Sequence, residues 1–261
     1  MLKSNFMEIK LSSSPILFTF MLFSFLNSMN NFMWKLSNCY LMMLMTLLFF
    51  MYLTKTYFNM MLNENLMMGK YNMKKKNILA NGFILFIMSE LMIFISLFWS
   101  YIHNAFSSNT FMGNFWPPKG ITPANPTSMI IFGTSILLSS SIIIMFCHHS
   151  ILIKNNKKKS LNFLMICLIM GVIFIDMQIL EMSNFYMKLN FNFNDSIFSS
   201  SFLFTTSLHA SHVILGMMGL YLSFKIMKSN YNNMIFFMNM EMSIWYWHFV
   251  DYIWIAVFTL F

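Results

Sequence analysis

Few side chains in this sequence could do chemistry, and nearly all of them lie inside apolar stretches. Glu90 sits about twelve residues into one such run, some ~18 Å along it at helical rise, and so near the bilayer centre if the run crosses a membrane. A carboxyl at that depth needs a partner or a cavity: it is either an acid hydrogen-bonded to a neighbouring helix or a group that handles protons. No lysine lies in the same run, so the acid form is expected unless a histidine from another helix supplies a counter-charge. The chain has six histidines. His209 and His212 stand at i and i+3, as do His248 and Asp251, and each pair shares one helix face. That spacing raises metal binding, yet ligands of one centre must converge. His148 and His149 are adjacent, point about 100° apart on a helix, and fall at a different depth from the others. His209, His212, His248 and Asp251 therefore read as a structural polar network between helices. No metal ligand set and no catalytic residue is expected in this chain.

The elements that must position these groups are membrane helices. Of 261 residues, 58% are hydrophobic and only 9% charged, far more apolar surface than one soluble core can hide. Since about 20 residues cross a hydrocarbon layer of ~30 Å, a chain this long holds seven or eight spans with short loops and little else. Apolar runs occur at 15–34, 39–58, 78–103, 129–153, 161–185, 197–224 and 234–261, which predicts an all-α, polytopic chain of seven spans. If the spans alternate, thirteen of the sixteen lysines, including Lys74, Lys75, Lys76, Lys157, Lys158, Lys159, Lys225 and Lys228, share a side with the N-terminus. Only Lys35, Lys119 and Lys188 fall opposite, so the positive-inside rule predicts an inner-side N-terminus. A six-span count would scramble that segregation. The basic loops suit anionic lipid headgroups better than nucleic acid, for which no binding is expected.

Every basic residue is lysine, with no arginine, while Met (31) and Phe (32) are heavily used. AT-rich codons give such a bias, which points to an organellar gene. The first fourteen residues match a cleavable presequence poorly, and the mature chain is expected to start at Met1. Cys39, Cys147 and Cys167 are isolated in apolar segments and read as packing residues. Trp245, Tyr246, Trp247 and Trp254 read as helix-packing side chains, and Trp116-Pro117-Pro118 with Pro123 and Pro126 as an extended, helix-free outer loop.

Those same segments carry a resemblance. Gly82 to Glu90 with Phe98-Trp99 and His103, Trp116-Pro117-Pro118-Lys119-Gly120-Ile121, Thr134-Ser135 to His148-His149-Ser150, Gln178 with Glu181, Leu208-His209-Ala210-Ser211-His212 to Gly216, and Glu241 leading to Trp245-Tyr246-Trp247-His248-Phe249-Val250-Asp251 are similar, in order, to the subunit III family of haem-copper oxidases. Together they cover about residues 78–255; the first 75 match less well, with Ser14-Pro15, Tyr57-Phe58, Glu64 and Gly69 resembling the family and its usual arginines absent. The resemblance implies two N-terminal helices (1–76) splayed from a five-helix bundle (77–261), with phospholipid such as cardiolipin or phosphatidylglycerol in the cleft and headgroups near Glu64, Lys225 and Lys228. It implies an accessory subunit of cytochrome c oxidase in the mitochondrial inner membrane, packed with subunits I and II and further complex IV subunits. Haem and copper belong to those partners, and this chain would support proton uptake and protect activity during turnover. It also implies that Glu90 matches a carboxyl that reacts with apolar carbodiimides. Subunit III of a quinol oxidase would share the fold, and a seven-helix transporter or receptor is the more distant alternative. A membrane hydroxylase, suggested by the H-x-x-H and His-His pairs, needs more histidines gathered at one membrane face.

Overall fold

A computed structural model describes residues 14–33, 39–68, 73–107, 115–118, 129–152, 156–189, 195–228 and 234–260. Seven helices follow in order: α1 (Ser14–Met33), α2 (Cys39–Met68), α3 (Met73–Phe106), α4 (Ile131–Leu152), α5 (Lys157–Leu189), α6 (Ile197–Lys228) and α7 (Met234–Leu260). No strand occurs among the described residues. Helix is the solution that apolar surroundings impose, because each backbone N–H finds its carbonyl within its own segment. The many serines and threonines obey the same demand: Ser140 and Ser150, for example, each donate to the carbonyl three residues earlier at 2.7 Å.

Among the described residues, four stretches are long and apolar enough to cross a membrane: Asn77–Phe106, Ile131–Leu152, Lys157–Phe185 and Ile197–Lys228, with shorter apolar segments at Ile16–Ser28 and Tyr40–Leu53. The seventh helix is richer in Trp and Tyr and carries His248 and Asp251, residues that lower its hydropathy, although Tyr246, Trp247, Asp251 and Trp254 are buried. Apolar runs placed the helices correctly but cut α2, α3, α5 and α6 short. The second run ends at 58, whereas α2 continues to Met68; the third begins at 78, whereas α3 begins at Met73 and takes Lys74 to Lys76 into its first turn. Lipid covers only the apolar part, whereas the backbone ladder continues until a breaker arrives, and none precedes Gly69. At 34 residues and 1.5 Å per residue, α3 is about 51 Å long and must tilt or protrude from a ~30 Å layer.

The chain divides into two compact units, Met1–Asn72 and Met73–Phe261. In the first, α1 packs on α2, burying Met21 and Leu53, with Ser28 Oγ 3.4 Å from Thr46 Oγ1. In the second, α4 lies along α5 and α6 along α7, while α6 also meets α3 and α5, and α7 meets α3 and α4. The core of that unit is aromatic. Phe94, Phe174 and Trp247 are fully buried, with Leu164, Val213 and Leu220 between them.

Small residues let the helices approach, as membrane packing requires where no hydrophobic drive separates helix from lipid. A Cβ on Gly216 of α6 would lie 3.1 Å from Cε3 of Trp247, and one on Gly171 of α5 would lie 3.1 Å from Cη2 of the same ring. Trp247 thus slots between two glycines, and its Nε1 donates to Ser140 Oγ of α4 at 3.0 Å. Deeper along α6 and α7, Asn239 Nδ2 donates to Ser223 Oγ (3.1 Å), which lies 3.3 Å from Ser243 Oγ. At one end of the bundle, Trp116 packs edge-on against Tyr101 and Phe198, and its Nε1 donates to Tyr101 Oη at 3.3 Å. Residues 115–118 are non-helical; Pro123 and Pro126 lie outside the described residues.

Candidate functional site

Helix α3 carries Glu90 at its midpoint, α6 carries His212, and α7 carries Tyr246, and these three side chains meet. His212 Nε2 lies 3.5 Å from Glu90 Oε2, and His212 Nδ1 lies 2.6 Å from Tyr246 Oη. Aromatic rings enclose the line: Phe94 and Phe249 pack on the His212 ring, and Phe86 stacks on Tyr246. Water is largely kept away, so each polar atom depends on the next.

The line has two proton arrangements. In one, Tyr246 Oη–H donates to Nδ1 and Nε2–H points at the Glu90 carboxylate. In the other, the Glu90 acid donates to Nε2 and Nδ1–H donates to Tyr246 Oη. The second holds one proton more than the first, and the change needs a proton from outside together with a tautomer switch in His212 and a turn of the phenol hydroxyl. Side chains of α3, α6 and α7 thus meet at a carboxyl half-buried in the middle of a long helix.

His209, one turn before His212, faces a different stretch of α7. Its Nε2 donates to the Val250 carbonyl at 3.3 Å, and its ring lies against Trp254, with centroids 4.9 Å apart. His248 Nδ1 lies 4.0 Å from Asp251 Oδ2 within α7. The four residues read as a polar network therefore divide in two: His212 joins Glu90, while His209, His248 and Asp251 gather around one turn of α7. His148 is half-buried and His149 exposed near the end of α4. Among the described residues, no three His, Cys, Asp or Glu side chains are placed to share a metal ion. Cys147 and Cys167 are buried free thiols, Cys147 donating to the Ser160 carbonyl at 3.3 Å. Gln178 Nε2 donates to Glu181 Oε2 at 3.5 Å on α5.

Lys225 and Lys228 occupy the last turn of α6 and are exposed, where their charge also complements the helix C-terminus. Glu64 belongs to α2, but its side chain lies outside the described residues. Sequence reasoning passed over Tyr246 as a functional group, taking it with Trp245 and Trp247 as packing. The signal was the one phenol in that aromatic run, since a buried hydroxyl needs a partner where a phenyl ring does not.

Comparison with known proteins decides what this bundle is. The family model described as cytochrome c oxidase subunit III matches residues 4–261. The chain belongs to the cytochrome c oxidase subunit III family. It is 37% identical to cytochrome c oxidase subunit 3 of Rhipicephalus sanguineus over 183 residues, which are 70% of this chain and 69% of the relative. It is 34% identical to that of Schizophyllum commune over 76% of this chain and 72% of the relative, and 32% identical to that of Pelomedusa subrufa over 87% and 85%. The family match includes the first 75 residues, where the motif resemblance was weakest. Subunit III membership and helices of membrane-spanning length make this a multi-pass membrane protein.

Proposed function

We propose that this chain is the non-redox subunit III of a cytochrome c oxidase in the mitochondrial inner membrane, assembled with subunits I and II, and that Glu90, His212 and Tyr246 hold a proton for uptake by the enzyme. Family membership supports the assignment to the oxidase, and the Glu90 to Tyr246 line is the observation that carries the proton role. His209 contributes a hydrogen bond to the Val250 carbonyl and ring packing on Trp254, which is what an accessory subunit needs from it. Haem and copper chemistry falls to the partner subunits. The animal and fungal relatives, together with a chain that uses lysine to the exclusion of arginine, support mitochondrial over quinol-oxidising bacterial origin. Removing this chain from the purified enzyme with detergent is the test. The remaining complex should keep its haem spectrum and its initial oxygen reduction, take up protons more slowly, and lose activity sooner during sustained turnover. Unchanged proton uptake and lifetime would contradict the reading.

The lysine asymmetry supports an N-terminus on the matrix side, with Lys157 to Lys159 and the end of α6 facing the same compartment. Phospholipid headgroups are proposed to meet Lys225 and Lys228 there, each lysine near an anionic surface adding about 1 kcal/mol of attraction. Mitoplasts with an intact inner membrane, treated with an impermeant amine reagent, should leave Lys157, Lys158 and Lys159 unmodified until the membrane is opened. Strong labelling in sealed mitoplasts would invert the topology.

A further inference from the structure

One turn of α7 and the facing ring of α6 hold several buried polar atoms with no hydrogen-bond partner among the described residues. Asp251 is 5% exposed, and neither of its carboxyl oxygens has a hydrogen-bond partner among the described residues. Three residues on, Trp254 is 4% exposed and its Nε1 is equally unpartnered. His209, fully buried, spends Nε2–H on the Val250 carbonyl, so its Nδ1 is a lone pair, and it too has no partner. The Nε2 of His248 is likewise buried without a partner. These groups are neighbours: Val250, Asp251 and Trp254 lie within one and a half turns of α7, and the His209 ring spans Val250 and Trp254. Phe174 of α5 closes the other side, packing edge-on against both Trp254 and His209.

As placed, these side chains leave the account open. The two Asp251 oxygens and the His209 Nδ1 need donors; the Trp254 indole N–H lies one turn further along α7, and His248 Nδ1 stands 4.0 Å from Asp251 Oδ2, beyond hydrogen-bond distance. An orphaned buried polar group forfeits the bonds it made to water, so several in one place call for a further donor-bearing molecule. Water fits that chemistry, since it brings two donors and accepts two bonds, and buried waters commonly make about three bonds to otherwise unsatisfied groups.

We propose that α5, α6 and α7 enclose an internal water site, in which at least one ordered water accepts from Trp254 Nε1 and donates to the Asp251 carboxyl and to His209 Nδ1. Electron cryomicroscopy of the complex purified through this chain, at a resolution that resolves waters, tests the site. The expected result is a density peak within hydrogen-bond distance of both Asp251 and Trp254 Nε1. It should persist in Asp251→Asn, which keeps polar atoms at the site, and vanish in Asp251→Leu, which fills the space with carbon. A dry site in the unmodified protein, with Trp254 bonding Asp251 directly, would overturn the proposal, as would a peak unchanged in Asp251→Leu. Should Asp251→Leu fail to accumulate, the unmodified complex alone decides.

Discussion

Replacing Trp247 by alanine is expected to lower the stability of the bundle by about 3 kcal/mol, the low end of the range for deleting a large aromatic from a core. The ring is fully buried and touches three other helices at once: Gly171 of α5 and Gly216 of α6 make room for it, and Ser140 of α4 accepts its N–H. Those glycines cannot move in to fill the space, because helix backbones in contact do not collapse by a ring's width. The low end applies because a membrane helix gains little from hiding carbon from water, so the loss is one of packing and cavity alone. Trp247→Phe should cost less, about 1 kcal/mol, mostly the bond to Ser140 and a small void. From the other side of the same contact, Gly216→Val should cost about 1–3 kcal/mol by pushing a branched side chain into a ring that already sits at the contact limit. Thermal unfolding of the complex in mild detergent, read as retention of this chain, measures all three. A Trp247→Ala variant that melts with the unmodified protein would show that the four helices are held elsewhere.

Glu90→Gln should leave assembly and haem spectra intact, keep most oxygen reduction, and abolish labelling of this chain by an apolar carbodiimide. Glutamine preserves shape and can donate to His212 Nε2 or accept from it, so the helices stay bonded. What it removes is the acid, and with it the arrangement that holds the extra proton. Carbodiimides react with the protonated carboxyl, so loss of labelling reports the group directly. Glu90→Leu should be worse for stability than Glu90→Gln, because it strands His212 Nε2 in an aromatic enclosure while the bond to Tyr246 remains. Complete loss of oxygen reduction in a fully assembled Glu90→Gln complex would make Glu90 a catalytic residue, against the account.

Much of this was legible in the residues. A carboxyl in mid-helix without a lysine in reach left open a histidine from a neighbour, and His212 Nε2 stands 3.5 Å from it. The seven apolar runs became seven helices because hydropathy reports lipid contact, and lipid contact enforces helix. Other features were hidden for physical reasons. Where α2 ends and α3 begins is set by helix breakers, whereas the apolar run stops at the headgroups. The i, i+3 spacing grouped His209 with His212 on one face, yet the pair serves two different turns of α7: one ring reaches Val250 and the other Tyr246. Neither spacing nor composition encodes that choice, which depends on the crossing of α6 over α7. The unpaired oxygens of Asp251 were equally hidden, since a sequence names a polar group without counting its bonds.

The most direct measurement is the metal and haem content of this chain before and after it leaves its partners. Captured in mild detergent through a tag on this chain, the complex should carry haem and copper together with subunits I and II. Separated from them under stronger detergent, the chain should show no haem absorbance and no stoichiometric copper, while its helical content remains. A haem or copper retained at one per isolated chain would contradict the account, and so would capture of the intact chain with no oxidase subunits attached.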